Sequence, residues 1–315
     1  MEKTIYSLVV PVFNEEEVLP IFYQTVTPLF DTLNESYEIV FINDGSSDKT
    51  ESILEDLAEK DKRVKVIKFS RNFGQQAATQ AGLTYTKGDA IIVMDVDLQD
   101  PPEVALKMIE KWKEGYEIVH GKRGKRRGET IFKKVTAFFY YRFLRKITGM
   151  DIPKDTGEFK LYDRKVVNQI IALPEHHRYL RGLSTWVGFK QTSIEFERPE
   201  RSAGVTKWTL KKMVRLAGDG IIANSAYPLF LSIKCGLVLG FLSIAAFITF
   251  IVLVCVGISL PLVSWLFPTV ALLAAFILVL NGFSNIYIGR IYDEVKGRPN
   301  YIVSQTFNIQ EKEME

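Results

Sequence analysis

Cysteine and histidine are scarce in this chain: two and three, respectively, in 315 residues. Cys235 and Cys255 both fall in one long apolar stretch, so a disulfide framework and a Cys/His metal cluster are both excluded. His120, His176 and His177 are too scattered for a zinc site, and any metal must be held by oxygen ligands. No Gly-x-Gly-x-x-Gly follows the first apolar run and there is no P-loop, which removes support from dinucleotide-binding and NTPase readings. Internal repeats and low-complexity segments are also missing. The apolar run Ile5 to Val12 is too short for a signal peptide and leads straight into Asn14-Glu15-Glu16-Glu17, so none is expected.

Charge is absent from one place only. From Cys235 to Gly289 no residue is charged, although the chain as a whole is 24% charged with a formal net charge of +3. A crossing needs about 20 apolar residues, so this run accommodates two helices, expected over 232–258 and 263–288, with a turn at Pro261, Ser264, Trp265 and Pro268. Lys211, Lys212, Arg215 and Lys234 precede the run, and Arg290, Lys296 and Arg298 follow it. Positive flanks stay in the cytoplasm. The organisation expected is a cytoplasmic domain over 1–228, a membrane hairpin over 229–289 and a cytoplasmic tail over 290–315. Stretches 131–147 and 206–224 read as interfacial helices. Nucleic acid is not expected as a partner, since no dominant basic stripe exists.

What is present in the first half is alternation. Apolar runs at Ser7 to Val12, Glu38 to Asn43, Val64 to Phe69 and Ala90 to Asp95 read as strands, separated by helical stretches over Glu15–Leu33, Lys49–Lys60 and Gln75–Thr86. A further helix to Glu114 and a strand at Ile118–Gly121 follow. The βαβα order implies an α/β fold with a doubly wound, mostly parallel sheet. Ligands of such sheets bind beyond the carboxyl ends of the strands. Those ends carry Pro11 to Glu15, Asn43-Asp44-Gly45-Ser46, Ser70-Arg71-Asn72 and Asp95-Val96-Asp97.

Two carboxylates one residue apart on a turn leaving a buried strand, Asp95 and Asp97, can both reach an octahedral ion such as Mg²⁺ or Mn²⁺. These ions take few protein ligands and complete their shell with phosphate oxygens and water. Asp44 could accept hydrogen bonds from a base or ribose, with Gly45 letting a ligand approach closely. Ser47 or Asp48 could also cap the helix that starts near Thr50.

Together these motifs resemble glycosyltransferase family 2: Val10-Pro-Val-Phe-Asn-Glu-Glu, Asn43-Asp-Gly-Ser-Ser-Asp, Ser70-Arg-Asn-Phe-Gly and Asp95-Val-Asp-Leu-Gln-Asp-Pro-Pro. Four further stretches resemble the bacterial polyprenyl-phosphate glycosyltransferases, relatives of dolichyl-phosphate mannose synthase: Asp155-Thr-Gly-Glu-Phe-Lys-Leu-Tyr-Asp-Arg, Arg178-Tyr-Leu-Arg-Gly-Leu-Ser-Thr-Trp, Arg201-x-x-Gly-x-Thr-Lys207 and the closing Gly289-Arg-Ile-Tyr-x-Glu-Val-Lys-x-Arg-Pro-x-Tyr-Ile-Val. The resemblance implies an A-type, Rossmann-like glycosyltransferase domain followed by a two-helix transmembrane hairpin. It implies that Pro11, Asn14, Glu15, Asp44 and Arg71 border the nucleotide, and that Asp95, Asp97 and Gln99 hold the metal. Arg123, Arg127, Arg201 and Lys207 would face phosphates, and Asp155 is the family's usual candidate for catalytic base. The family commonly has aspartate where Glu158 stands and serine where Thr206 stands; both changes are expected to be harmless.

For Asp155 the chemistry argues otherwise. A phosphate monoester has its second pKa near 6, so the acceptor is already largely dianionic at neutral pH and needs no general base. Asp155 is then expected to position the acceptor or a cation such as Arg201. The reaction implied is an inverting, metal-dependent transfer of one sugar from a UDP-sugar, UDP-glucose in the first instance, to polyprenyl (undecaprenyl) phosphate. It would take place at the inner membrane of a bacterium, by a homo-oligomer for which the resemblance suggests a tetramer. The rivals are a processive polysaccharide synthase, against which the absent Gln-x-x-Arg-Trp motif speaks, and a non-catalytic nucleotide-binding scaffold.

Overall fold

The computed structural model describes residues 4–124, 156–175, 180–197, 248, 255–256 and 262–309, without the side chain of Arg181 and several between 262 and 279. The expected interfacial helices at 131–147 and 206–224 lie outside these residues, as does nearly all of the first expected crossing. The chain divides into two compact units, Met1–Val214 with Pro299–Glu315, and Arg215–Arg298.

The first unit is a layered α/β domain. Its elements run β1 (Tyr6–Val12), α1 (Leu19–Asp31), β2 (Tyr37–Asn43), α2 (Thr50–Lys60), β3 (Val64–Phe69), α3 (Gln75–Tyr85), β4 (Ala90–Val93), α4 (Pro102–Lys113) and β5 (Ile118–Arg123). Then come β6 (Thr156–Asp163), α5 (Arg164–Ala172), α6 (Leu180–Trp186) and β7 (Gln191–Phe196), with β8 (Val303–Phe307) closing the chain's described part. The strands form one eight-stranded sheet in the order β7-β5-β6-β4-β1-β2-β3-β8. β4, β1, β2 and β3 are parallel neighbours. β6 lies antiparallel between β4 and β5, and β8 is antiparallel on the outer edge of β3. The mostly parallel sheet expected from the alternation is therefore present.

Why these runs are central strands is visible in their burial. Every residue of β2 and β4 is buried, and in β1 all but one, as strands covered by helices on both faces must be. One core packs Leu8, Val10, Phe22, Phe30, Phe41 and Leu161 on the α1/α2/α4 face. The other packs Val9, Ile42, Ile67, Ala78, Tyr162 and Val166 on the α3/α5 face.

The amino edge of the parallel strands carries a buried ionic cluster. Glu38, 2% exposed, accepts hydrogen bonds from the Ser7 hydroxyl and the Lys87 backbone N–H and pairs with Lys65. Removing one partner of such a group leaves the others desolvated and unmatched. Glu38→Ala is expected to lower stability by roughly 2–4 kcal/mol, read from chemical unfolding, with the KM of the folded fraction unchanged because the cluster sits at the edge away from the site.

The second unit contributes one described helix of length, α7 (Leu262–Lys296), 35 residues long. Its sequence carries no charge up to Gly289, while Ile288, Ile291, Tyr292 and Val295 near its end are exposed. Among the described residues no helix is long and apolar enough to cross a membrane. Of the hairpin expected over 229–289, the second stretch, 263–288, lies within α7, and nearly all of the first lies outside the described residues.

Candidate functional site

Four parallel strands end at one edge, and β6, being antiparallel to β4, begins there. Each end is shaped by local chemistry. After β1, Asn14 sits at φ 55°, a left-handed conformation that asparagine tolerates better than other non-glycine residues. Its Oδ1 accepts from the Ser47 backbone N–H at 2.8 Å, and its own N–H donates to Ser46 Oγ at 3.0 Å. The Glu15 N–H donates to Thr50 Oγ1 and the Glu16 N–H to Asp48 Oδ2. These bonds hold the segment before α1 in a turn, so the helix starts at Leu19 rather than at Glu15. Asp48 Oδ1 accepts from the Thr50 N–H at 3.0 Å, which makes Asp48, of the two expected residues, the one that stabilises the start of α2. Pro11 remains within β1, opposite Ile42.

Asp44 is almost wholly buried, and both of its carboxylate oxygens are engaged. They accept the backbone N–H groups of Phe73 at 2.6 Å and Gly74 at 2.9 Å. Burial nonetheless raises its pKa, against the lowering effect of those two bonds. Gly45 next to it has φ 69°, and a Cβ built there would lie 2.5 Å from the Arg71 carbonyl carbon and 2.7 Å from the Asn72 nitrogen. The close approach expected at Gly45 is therefore made by the protein's own loop, Ser70–Gly74, rather than by a ligand, because the β2 and β3 ends abut. Arg71 is exposed on that loop, with its guanidinium over the Phe73 ring at 4.1 Å.

After β4 comes the acidic turn. Asp97 Oδ1 accepts from the Gln99 backbone N–H at 3.1 Å, and Leu98 between them is held at φ 54°. A non-glycine in that region costs of order 1 kcal/mol or more and persists only where surroundings impose it. Asp95 Oδ1 accepts from Gln75 Nε2 at 2.7 Å. Burial, with Asp100 and then Asp97 beside it, pushes the Asp95 carboxyl up to about 7; Arg123 opposes the rise and Glu158 adds to it. The Arg123 guanidinium, at the end of β5, lies against Gly157 of β6, whose added Cβ would come 2.9 Å from Nη2. Asp95, Asp97, Asp100, Glu158 and Arg123 thus form one charged group at the ends of β4, β5 and β6.

This donor set fits a divalent cation. Its atoms are hard oxygens, its carboxylates repel one another, and a 2+ ion would relieve that repulsion. Among the described residues no group of three or more His, Cys, Asp or Glu side chains is arranged to hold a metal alone, so the remaining ligands would come from phosphate oxygens and water. Gln99 is nine-tenths buried and its backbone orients Asp97.

Gln75, Gln76 and Glu158 join the site only through the tertiary structure. Gln76 Nε2 donates to Glu158 Oε1 at 3.3 Å, and its Oε1 accepts weakly from the Leu180 N–H at 3.5 Å, linking β6 to α6. The two glutamines follow Gly74 in the first turn of a helix leaving a strand end, a signal the sequence did contain. Asp155, Arg127, Arg201 and Lys207 lie outside the described residues.

His120 of β5 is a neighbouring buried group of another kind. It is 1% exposed, and its Nε2 lies 2.8 Å from Gln191 Oε1. Burial, then the charge of Lys160, lowers its pKa to about 4, with the Gln191 bond opposing. The unfolded chain takes up this proton near pH 6.5 and the folded chain only near 4. Folding is unaffected by His120 above about 6.5 and loses stability as pH falls towards 4, by about 3 kcal/mol in the limit. His120→Asn is expected to flatten that part of a melting-temperature profile between pH 7 and 4; an unchanged slope would contradict the assignment.

The strand-end acidic turn and the four motifs that share its edge point to one class of protein. Residues 7–171 match the family described as glycosyl transferase family 2, and the chain belongs to it: it is a glycosyltransferase with an A-type, Rossmann-like fold. The chain is 48% identical over 312 residues to the uncharacterized glycosyltransferase YkcC of Bacillus subtilis (strain 168), covering 98% of this chain and 96% of that one. It is 42% identical over 303 residues to the bactoprenol glucosyl transferase of Shigella phage SfX, covering 94% and 98%. To the prophage bactoprenol glucosyl transferase homolog of Escherichia coli (strain K12) it is 42% identical over 303 residues, covering 95% and 98%.

Proposed function

We propose that this chain transfers one sugar from a UDP-sugar to a polyprenyl phosphate, with glucose the sugar expected first, at the cytoplasmic face of a bacterial membrane. The observation that carries this reading is the match to bactoprenol glucosyl transferases along nearly the whole length of both chains. The acidic turn and its basic neighbour support it independently, because a sugar diphosphate and a lipid phosphate are both anions that must meet. The uncharged run from Cys235 to Gly289 supports a hairpin that keeps the site where the lipid head emerges.

The chain's own residues would act as follows. Asp44 and Gly45 seat the Ser70–Gly74 loop, so that Arg71 borders the nucleotide together with Pro11, Asn14 and Glu15. Asp95, Asp97 and Gln99 would hold Mg²⁺ or Mn²⁺, which when bound supplies Lewis-acid neutralisation of the diphosphate. Arg123, with Arg127, Arg201 and Lys207 in the segments beyond the described residues, would screen the two anions from each other. An oxygen of the lipid phosphate attacks the anomeric carbon as the bond to the diphosphate oxygen breaks. UDP departs with that electron pair and the anomeric configuration inverts. Asp155 positions the acceptor in this scheme, since the nucleophile has no proton to lose. The resemblance further suggests a homotetramer.

The test is to incubate membranes containing the chain with undecaprenyl phosphate and a panel of radiolabelled nucleotide sugars. Label from UDP-glucose is expected in the lipid fraction as a single-sugar product. Label in a polymer would favour a processive synthase, and label in neither fraction would favour a scaffold.

A further inference from the structure

The motif Arg298-Pro-x-Tyr301-Ile-Val has no part in the chemistry above, yet it packs against the Ser70–Gly74 loop. The Ser70 backbone N–H donates to the Ile302 carbonyl at 3.0 Å. The Tyr301 ring stacks on Phe69, with centroids 5.0 Å apart and planes 14° from parallel. Phe69 in turn meets Phe73 edge-on at 5.7 Å, and the Phe73 N–H is one of the two that Asp44 accepts. Asn300 Nδ2 donates to Gln80 Oε1 on α3 at 2.9 Å, fixing the backbone that presents Tyr301. Just beyond, β8 pairs with β3, and the register shifts between Lys68 and Phe69.

The loop Ser70–Gly74 is therefore gripped from two sides. Asp44 and Gly45 hold it from the end of β2, and Tyr301 and Ile302 hold it from the returning segment. Between these supports Ser70, Arg71 and Asn72 are exposed, and Asn72 Nδ2 adds a bond to the Asp44 carbonyl at 3.2 Å. We infer that Tyr301 is a positioning residue for donor binding: its ring, through Phe69 and Phe73, sets the loop that carries Arg71. This inference rests on the reading that the loop borders a UDP-sugar. The ring stacks on Phe69 and Tyr301 is only partly buried, so its loss should disturb the loop more than the fold.

The experiment uses the full chain in detergent and measures UDP binding in the presence of Mn²⁺, together with initial rates against UDP-sugar and undecaprenyl phosphate. Tyr301→Ala is expected to weaken UDP binding about five- to tenfold, the scale of one aromatic contact, and to raise the donor KM in parallel. The acceptor KM should stay at its wild-type value, and Tyr301→Phe should restore the donor values. Amide exchange at Phe73 and Gly74 should quicken in Tyr301→Ala while that of β1 and β2 does not. If Tyr301→Ala fails to fold, Tyr301→Leu, which fills part of the space but has no ring to stack on Phe69, serves in its place with the same expected weakening. UDP binding within twofold of wild type in the folded variant would overturn the assignment. No UDP binding by the wild-type chain would instead overturn the donor reading on which it rests.

Discussion

Asp97→Ala is expected to abolish detectable sugar transfer, a loss of at least a hundredfold in kcat/KM, or roughly 3 kcal/mol of transition-state stabilisation. The reason lies in what surrounds that turn. Asp95 already shares its environment with Asp100, Asp97 and Glu158, and its carboxyl is raised first by burial and then by the charges of those neighbours. A site that crowds carboxylates in this way is poised for a cation rather than for an uncharged ligand. The Asp97 carboxylate is aimed by a backbone N–H, that of Gln99 at 3.1 Å, across a residue held in the left-handed region. Removing it takes away a ligand without opening a core cavity, since it is partly exposed, so the melting temperature should hardly move. Chelation by EDTA should reproduce the loss in wild type, and added Mn²⁺ should restore the wild type but not the variant. Full activity in Asp97→Ala, or in chelated wild type, would sink the metal assignment.

Gly45→Ala is expected to damage both stability and donor binding. An alanine there meets backbone, not a flexible side-chain end, at 2.5 and 2.7 Å, and must also adopt φ 69°. Overpacking against backbone combined with an unfavourable dihedral costs about 2–4 kcal/mol. The strain can be relieved only by moving Arg71 and Asn72 outward, which would break the Asp44 bonds to Phe73 and Gly74. The donor KM is therefore expected to rise at least tenfold in whatever fraction folds, while Glu38→Ala lowers stability alone. A Gly45→Ala protein with wild-type melting temperature and donor KM would show that the loop does not depend on this seat.

Much of the central sheet was legible beforehand because physics leaves it little choice. Runs such as Glu38 to Asn43 and Ala90 to Asp95 are apolar on both faces, and only a strand covered by helices on both sides buries them completely. The residues at their ends were legible for the same reason: parallel strands place their carboxyl ends together, so Asp44, Arg71, Asp95 and Asp97 had to share an edge. Helix boundaries were less so. Glu15 to Val18 satisfies helical patterning, yet the Glu15 and Glu16 N–H groups are taken by Thr50 and Asp48 from a distant turn. At Gly45 the sequence suggests room for a ligand, because it does not say that the loop after β3 fills that room.

What the sequence by itself determined was the α/β alternation, the polar and acidic strand-end edge, the uncharged run and, through its motifs, the family. What only the tertiary structure decided was which distant segments complete that edge. β6 is antiparallel and inserted between β4 and β5, which brings Glu158 and Gly157 to Asp95 and Arg123. The segment after α7, expected as a tail, pairs with β3 and sets Tyr301 against Phe69, next to the Ser70–Gly74 loop. Strand order and the pairing of an edge depend on contacts between residues far apart in the chain, and those contacts leave no periodicity in the sequence that a local pattern could reveal.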